Sequence, residues 1–395
     1  MIVIVLFILL QVIGLNFGEP VVTEVSERKI PEDGRLNFTE LARKYGFRAE
    51  EIEVETEDGY LITVFRIRGK KKPVLVVHGM GGSSNTWLLR GKKSLAVALA
   101  IEGYDVWCGN VRGNKYGRKH VSLNPDKDDK FWDFSWHEIG LYDWRAIIDR
   151  VLKETKESKL NAIGHSQAVT SLLVLLSTKP EYNDKVNLNI ALAPVAYLNK
   201  IGPGFTQMVK IGPIVFKLLD FLGINELFSE NSIEKNLLQL FCTEGYVTKD
   251  FCREGIYSWF GDPDGIEAEF FPVIVGQQPA GVSKKILRHY NQVALSGNLA
   301  QYDYGVEKNM LLYGTSEPPE YNLSKVTAKM VLLYGENDLV ATPTNVEQLA
   351  SALPNVLYLQ AIEKKEWTHT DFTWSKEMDK YLFRHITKLL RKYDW

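Results

Sequence analysis

Short unbroken apolar runs alternate with stretches in which apolar residues return every three or four positions, and this alternation organises most of the chain. Residues 51–67, E-I-E-V-E-T-E-D-G-Y-L-I-T-V-F-R-I, switch between apolar and polar around Asp58-Gly59, which predicts a β-hairpin. P-V-L-V-V-H-G-M-G-G (73–82) predicts a buried strand that runs into a glycine-rich turn. A helical pattern follows over 94–101 and stops at Gly103, and 104–110 reads as another buried strand. Residues 136–155 place Ile139, Tyr142, Ile147 and Val151 near helical spacing. Residues 159–177 run from strand to helix, and 186–194 form the next strand. The C-terminal part repeats the theme, with strands over 329–339 and 356–362 and helices over 345–353 and 376–393. The expectation is an α/β fold: a mostly parallel central sheet with helices on both faces and the opening hairpin as its antiparallel edge.

The alternation breaks down between Pro194 and Tyr321. Residues 211–228, 231–242 and 281–297 are helix-like and rich in apolar residues. An insertion after the C-terminal end of a strand sits over the crevice where such sheets bind ligands. The expected organisation is therefore a first core segment (19–196), an inserted helical cap or lid (197–321) and a second core segment (322–395). Residues 2–13 are almost purely apolar and short for a membrane span. Residues 1–18 accordingly read as a signal peptide, which directs the chain to the secretory pathway with an extracellular or lysosomal destination.

Composition narrows the picture further. A formal net charge of -2 over 395 residues gives no electrostatic reason to expect nucleic acid as a partner. Of three cysteines, Cys242 and Cys252 lie close together in a polar stretch suited to a local disulfide, and Cys108 sits in a strand as a buried free thiol. Two sequons, at Asn37 and Asn322, offer glycosylation sites in that compartment, with shielding expected at Asn322 on the approach to a strand. The chain has no metal-ligand cluster of convincing spacing, so neither a metal nor an organic cofactor is expected, and no protein partner is inferred.

The chemistry centres on Gly164-His165-Ser166-Gln167-Ala168, where a strand flows straight into a helix. A serine in that setting is raised on a tight turn, a G-x-S-x-G elbow whose last glycine is here Ala168. A serine hydroxyl becomes nucleophilic when a histidine accepts its proton and a carboxylate orients that histidine. His369, in a loop after the last strand, stands first among seven histidines as the base. Asp338, directly after the strand stretch M-V-L-L-Y-G-E-N (330–337), is the leading acid, with Glu336 and the weaker Asp371 as rivals. Two backbone N–H groups must hold the oxyanion, one from Gln167 after the nucleophile and one from the turn after residue 77, where Met80 is the best candidate. An alanine at 168 risks a steric clash with the neighbouring strand but removes no catalytic group.

With these residues placed, the sequence resembles the acid lipase family of α/β hydrolases, the group of lysosomal acid lipase and gastric lipase. The matching stretches include H-G-M-G-G-S-S-N-T-W, G-Y-D-V-W-C-G-N-V-R-G-N-K-Y-G-R-K-H, G-H-S-Q-A, P-A-G-V-S-K-K-I-L-R-H-Y-N-Q and Y-G-E-N-D-L-V-A-T-P-T-N-V, in order from about residue 47 to the last helix. The resemblance implies Ser166 as nucleophile, Asp338 as acid, His369 as base, Met80 and Gln167 at the oxyanion hole, and a Cys242–Cys252 disulfide in the cap. It also implies hydrolysis of neutral lipid esters through an acyl-enzyme, with the cap meeting the lipid–water interface. Met80, Ala168, Gly117 and Cys108 depart from the family pattern of Leu, Gly, Ser and Leu. A short-chain carboxylesterase and a non-catalytic lipid carrier are the alternatives.

Overall fold

The computed structural model describes residues 30–230, 232–243, 252, 254–255 and 265–395. The apolar segment at 2–13 lies outside them. Nine strands form the main sheet in the order β1-β2-β4-β3-β6-β7-β10-β11, with the short β5 (Lys119–His120) on β2. β1 (Ala49–Glu55) and β2 (Tyr60–Ile67) make the antiparallel hairpin, and β2 runs antiparallel to β4 (Asp105–Gly109). From β4 onward every neighbour is parallel: β3 (Pro73–Val77), β6 (Leu160–His165), β7 (Val186–Leu192), β10 (Met330–Tyr334) and β11 (Val356–Ala361). β3, β4, β6 and β7 are buried along their whole length, which explains why they read as continuous apolar runs rather than alternating ones.

Between β7 and β10 the chain leaves the sheet. It builds helices at Pro203–Phe221, Ile233–Cys242, Phe271–Gln277, Lys284–Ser296 and Val306–Tyr313, and a two-stranded pair, β8 (Glu226–Leu227) with β9 (Val282–Ser283). Three of these helices differ from the sequence pattern, the short one at Phe271–Gln277 lying outside all three helix-like stretches. The first begins at Pro203 and ends at Phe221, because Pro203 is pre-shaped for a helix start and Gly223 takes the left-handed conformation just past the end. The helix at Val306–Tyr313 escaped notice because Asn309 is its only buried residue, so it has no apolar stripe turned inward. Residues of the insertion pack in two ways. Val282, Ile286, Val293, Leu299 and Tyr321 join the main core, while Cys242, Ile266, Phe271, Ile274 and Val275 form a small separate cluster. Cys242 and Cys252 are disulfide-bonded there, with Cα atoms 5.4 Å apart, and Cys108 is a buried free thiol.

The asparagines of both sequons are exposed. Asn37 caps the helix Phe38–Lys44, and Asn322 caps the following turn while accepting a hydrogen bond from the Ser324 hydroxyl. The shielding expected at Asn322 is therefore not found, since the turn projects before the chain enters β10. Among the described residues no helix is long and apolar enough to cross a membrane, and no group of three or more His, Cys, Asp or Glu side chains could hold a metal ion.

Candidate active site

The parallel strands deliver the sequence candidates to one edge of the sheet. Ser166 follows β6 directly, Met80 lies three residues past β3, Asp338 four past β10, and His369 in the loop after β11. Ser166 has φ 54° and ψ -117°, a strained conformation that turns the chain sharply from β6 into the helix Gln167–Thr178 and lifts the hydroxyl off the strand. Its own N–H donates to the Leu192 carbonyl (2.9 Å), which anchors the elbow on β7.

The Ser166 hydroxyl donates to His369 Nε2 at 2.8 Å, and His369 Nδ1–H donates to Asp338 Oδ2 at 2.8 Å. All three residues are buried. The second carboxylate oxygen, Asp338 Oδ1, accepts the N–H groups of Val340 (2.8 Å) and Ala341 (2.9 Å), so the acid cannot rotate freely. Of the rival carboxylates, Glu336 is exposed, and Asp371 accepts the N–H and hydroxyl of Thr368, both at 2.7 Å. Asp371 thus stiffens the loop that carries His369. Gly335 lets the loop of Asp338 approach the loop of His369: a side chain there would meet the Trp367 carbonyl at 2.1 Å.

The glycine-rich turn after β3, the candidate oxyanion turn, is gripped from several sides. His78 Nδ1–H donates to the Gly79 carbonyl (2.8 Å), which fixes the tautomer and leaves Nε2 to accept from Asn114 Nδ2 (3.0 Å). Burial pushes the His78 pKa down to about 4, so the ring is neutral at neutral pH. Asn110 Oδ1 accepts from the Ser84 N–H (2.7 Å) and from Asn114 (3.0 Å), and the Ala280 N–H donates to the Gly81 carbonyl (2.8 Å). Gly79 lies against the elbow: a Cβ there would sit 3.2 Å from Ser166 Cβ. Among the described residues, no protein acceptor uses the N–H of Met80 or of Gln167. Asn110 and Asn114 were not singled out in the sequence, although two buried polar residues just beyond a strand's end are a usable signal.

Ala168 packs against β6. Its methyl is buried, and the facing residue on β6 is Gly164, where a Cβ would lie 3.3 Å from Ala168 Cβ. The small side missing at the end of the elbow motif is supplied by the strand instead. Gly117 also has a local reason, since a side chain there would meet the Val111 carbonyl at 2.3 Å.

Residues 38–91 match a family model described as a partial alpha/beta-hydrolase lipase region, and residues 72–200 match the alpha/beta hydrolase fold. The chain is 40% identical to Lipase 1 of Drosophila melanogaster over 371 residues, covering 93% of this chain and 82% of that protein. It is 33% identical to gastric triacylglycerol lipase of Mus musculus, covering 92% and 93% respectively. The chain belongs to the acid lipase family of α/β hydrolases. A Pyrococcus furiosus esterase shares the fold, with a TM-score of 0.52 at 14% identity over 91% of this chain and 97% of that one. As a member of this lipase family the protein is an ester-hydrolysing enzyme, which sets aside the non-catalytic carrier.

Proposed function

We propose that the enzyme is a serine lipase acting on neutral lipid esters, triacylglycerol or sterol ester, with Ser166, His369 and Asp338 as its catalytic triad. The observation that carries this reading is the pair of 2.8 Å hydrogen bonds that joins the three side chains. Ser166 Oγ attacks the ester carbonyl while its proton passes to His369 Nε2. The imidazolium is held by Asp338 through Nδ1–H, and the proton then goes to the leaving alcohol. Water attacks the resulting acyl-enzyme by the same route and releases the fatty acid. The Met80 and Gln167 N–H groups hold the negative oxygen of both tetrahedral intermediates, each contributing roughly 2.7–4 kcal/mol of barrier lowering. No metal or organic cofactor enters this scheme.

The substrate class rests on the names of the relatives and on the insertion at 197–321, which we read as the cap. Its first helix leaves Ile214 and Phe221 exposed, with Phe221 at 86%, as is Leu222 just past its end, and such a surface suits docking at a lipid–water interface. Secretory export, to the outside or to lysosomes, is the reading supported by the apolar N-terminal segment, the disulfide and the two exposed sequon asparagines. Initial rates on emulsified long-chain triacylglycerol and on a soluble butyrate ester, for wild type and Ser166→Ala, test the proposal. Loss of both activities in the variant supports the triad. Turnover of butyrate alone by wild type moves the enzyme to the short-chain carboxylesterases, and undiminished hydrolysis by Ser166→Ala refutes the mechanism.

A further inference from the structure

One buried histidine touches two of the site-forming loops without belonging to the hydrogen-bonded chain of Ser166, His369 and Asp338. His165, the residue before Ser166, places Nε2 2.8 Å from the backbone carbonyl oxygen of His369. A carbonyl only accepts, so Nε2 carries the proton and donates. On its other edge His165 Nδ1 lies 2.8 Å from where a Cβ of Gly79 would stand, so the oxyanion turn packs directly on the ring. The rings of His165 and His369 are tilted by 46° with centroids 5.1 Å apart, and the Phe372 ring lies 6.4 Å from that of His165.

Resting on the triad reading above, we propose that His165 is a positioning residue: its Nε2–H holds the main chain of His369 at the distance from the elbow that lets the base meet Ser166. The nucleophile and its base come from loops 203 residues apart in the chain. The ring of His165 is a side-chain bridge between them that uses neither reacting atom. The titratable groups facing it are His369, His78 and Asp338. Burial, reinforced by the charge that His369 acquires, pushes its pKa down to about 3, so the donor stays neutral while the neighbouring base gains and loses its proton. A second imidazolium beside His369 would compete for Asp338, and a neutral ring does not.

The test uses two amides of similar polarity. In His165→Gln the amide nitrogen falls where Nε2 was and reaches the His369 carbonyl, and in His165→Asn it falls near Nδ1 and does not. Rates on a soluble butyrate ester are normalised to active sites titrated with a phosphonate probe. The expected result is that His165→Asn loses about 10–100-fold in kcat with KM unchanged, in line with the cost of ångström-scale misplacement, while His165→Gln recovers most of the loss. Equal activity of the two variants, or a loss confined to KM, overturns the proposal. Histidine 15N spectra of the unmodified enzyme provide a readout free of any folding defect. A neutral Nε2–H tautomer at His165 is expected, and an Nδ1–H tautomer or a protonated ring at pH 6 overturns it. The triad is judged separately: if His369→Ala abolishes turnover while both His165 variants match wild type, only this inference falls.

Discussion

The substitution that most directly tests the elbow packing is Gly164→Ala. The new methyl would stand 3.3 Å from Ala168 Cβ and 3.4 Å from the Ala168 carbonyl carbon and the Val169 nitrogen. Methyl groups settle at roughly 3.5–4.0 Å, so the helix Gln167–Thr178 must retreat by a few tenths of an ångström or the strand must bow. Overpacking of this kind costs about 1–3 kcal/mol. Gly164 is two residues from Ser166, so the retreat is felt at the 2.8 Å bond to His369. If a misplacement of 1 Å costs about 100-fold, a third of that costs about fivefold in kcat. Ala168→Gly removes one buried methyl, about 0.8 kcal/mol, and adds up to about 1 kcal/mol of lost helix preference. The exchange Gly164→Ala with Ala168→Gly moves the methyl across the contact without stacking two together. Its cost should therefore fall at least about 1 kcal/mol short of the sum of the single variants. Urea unfolding followed by tryptophan fluorescence, with butyrate ester rates on the same preparations, measures both quantities. Additive losses, or a Gly164→Ala variant as stable and active as wild type, would refute the claim that Gly164 is what accommodates Ala168.

Two further outcomes are expected. In Asp338→Asn the oxygen must keep facing the Val340 and Ala341 N–H groups, so the amide NH2 faces His369 Nδ1 and forces the proton onto Nε2. The base can then no longer accept from Ser166, and kcat should drop about 10⁴-fold with little change in KM; a loss below tenfold would remove Asp338 from the triad. Stability should decline between pH 7 and pH 5, because burial holds His78 at about 4 and His165 and His289 at about 3, while the unfolded chain protonates near 6.5. For these lowered histidines the unfolded state binds more protons as the pH falls, so the native state loses ground. Asp143 works in the opposite sense, since burial raises its carboxyl to about 6 and the native state gains that proton. The three histidines outweigh the single carboxyl, so near pH 5 the unfolded state binds more protons and stability falls as the pH falls. A urea midpoint that is flat or rises on going from pH 7 to pH 5 would contradict this assignment.

The sequence by itself determined the sheet, because β3, β4, β6 and β7 are buried on both faces and must be apolar throughout, and their punctuation by Gly103, Gly79 and Pro73 is local. It also brought forward Ser166, Asp338 and His369, since strand ends are visible in a hydrophobic pattern and this fold concentrates polar chemistry there. Spacing alone left Glu336 and Asp371 as rivals. Their separation from the base is a matter of a turn two residues long, and only the folded loop shows Glu336 in solvent and Asp371 tied to Thr368. The helix at Val306–Tyr313 was illegible because almost nothing on it is buried. The fit of Ala168 against Gly164, the grip of Asn114 on His78 and the reach of His165 to the His369 carbonyl were equally out of view. Each depends on which atoms of distant segments come within a few ångströms. A one-dimensional pattern records burial and periodicity, whereas contact distances are set only when the sheet twists and its loops pack against one another.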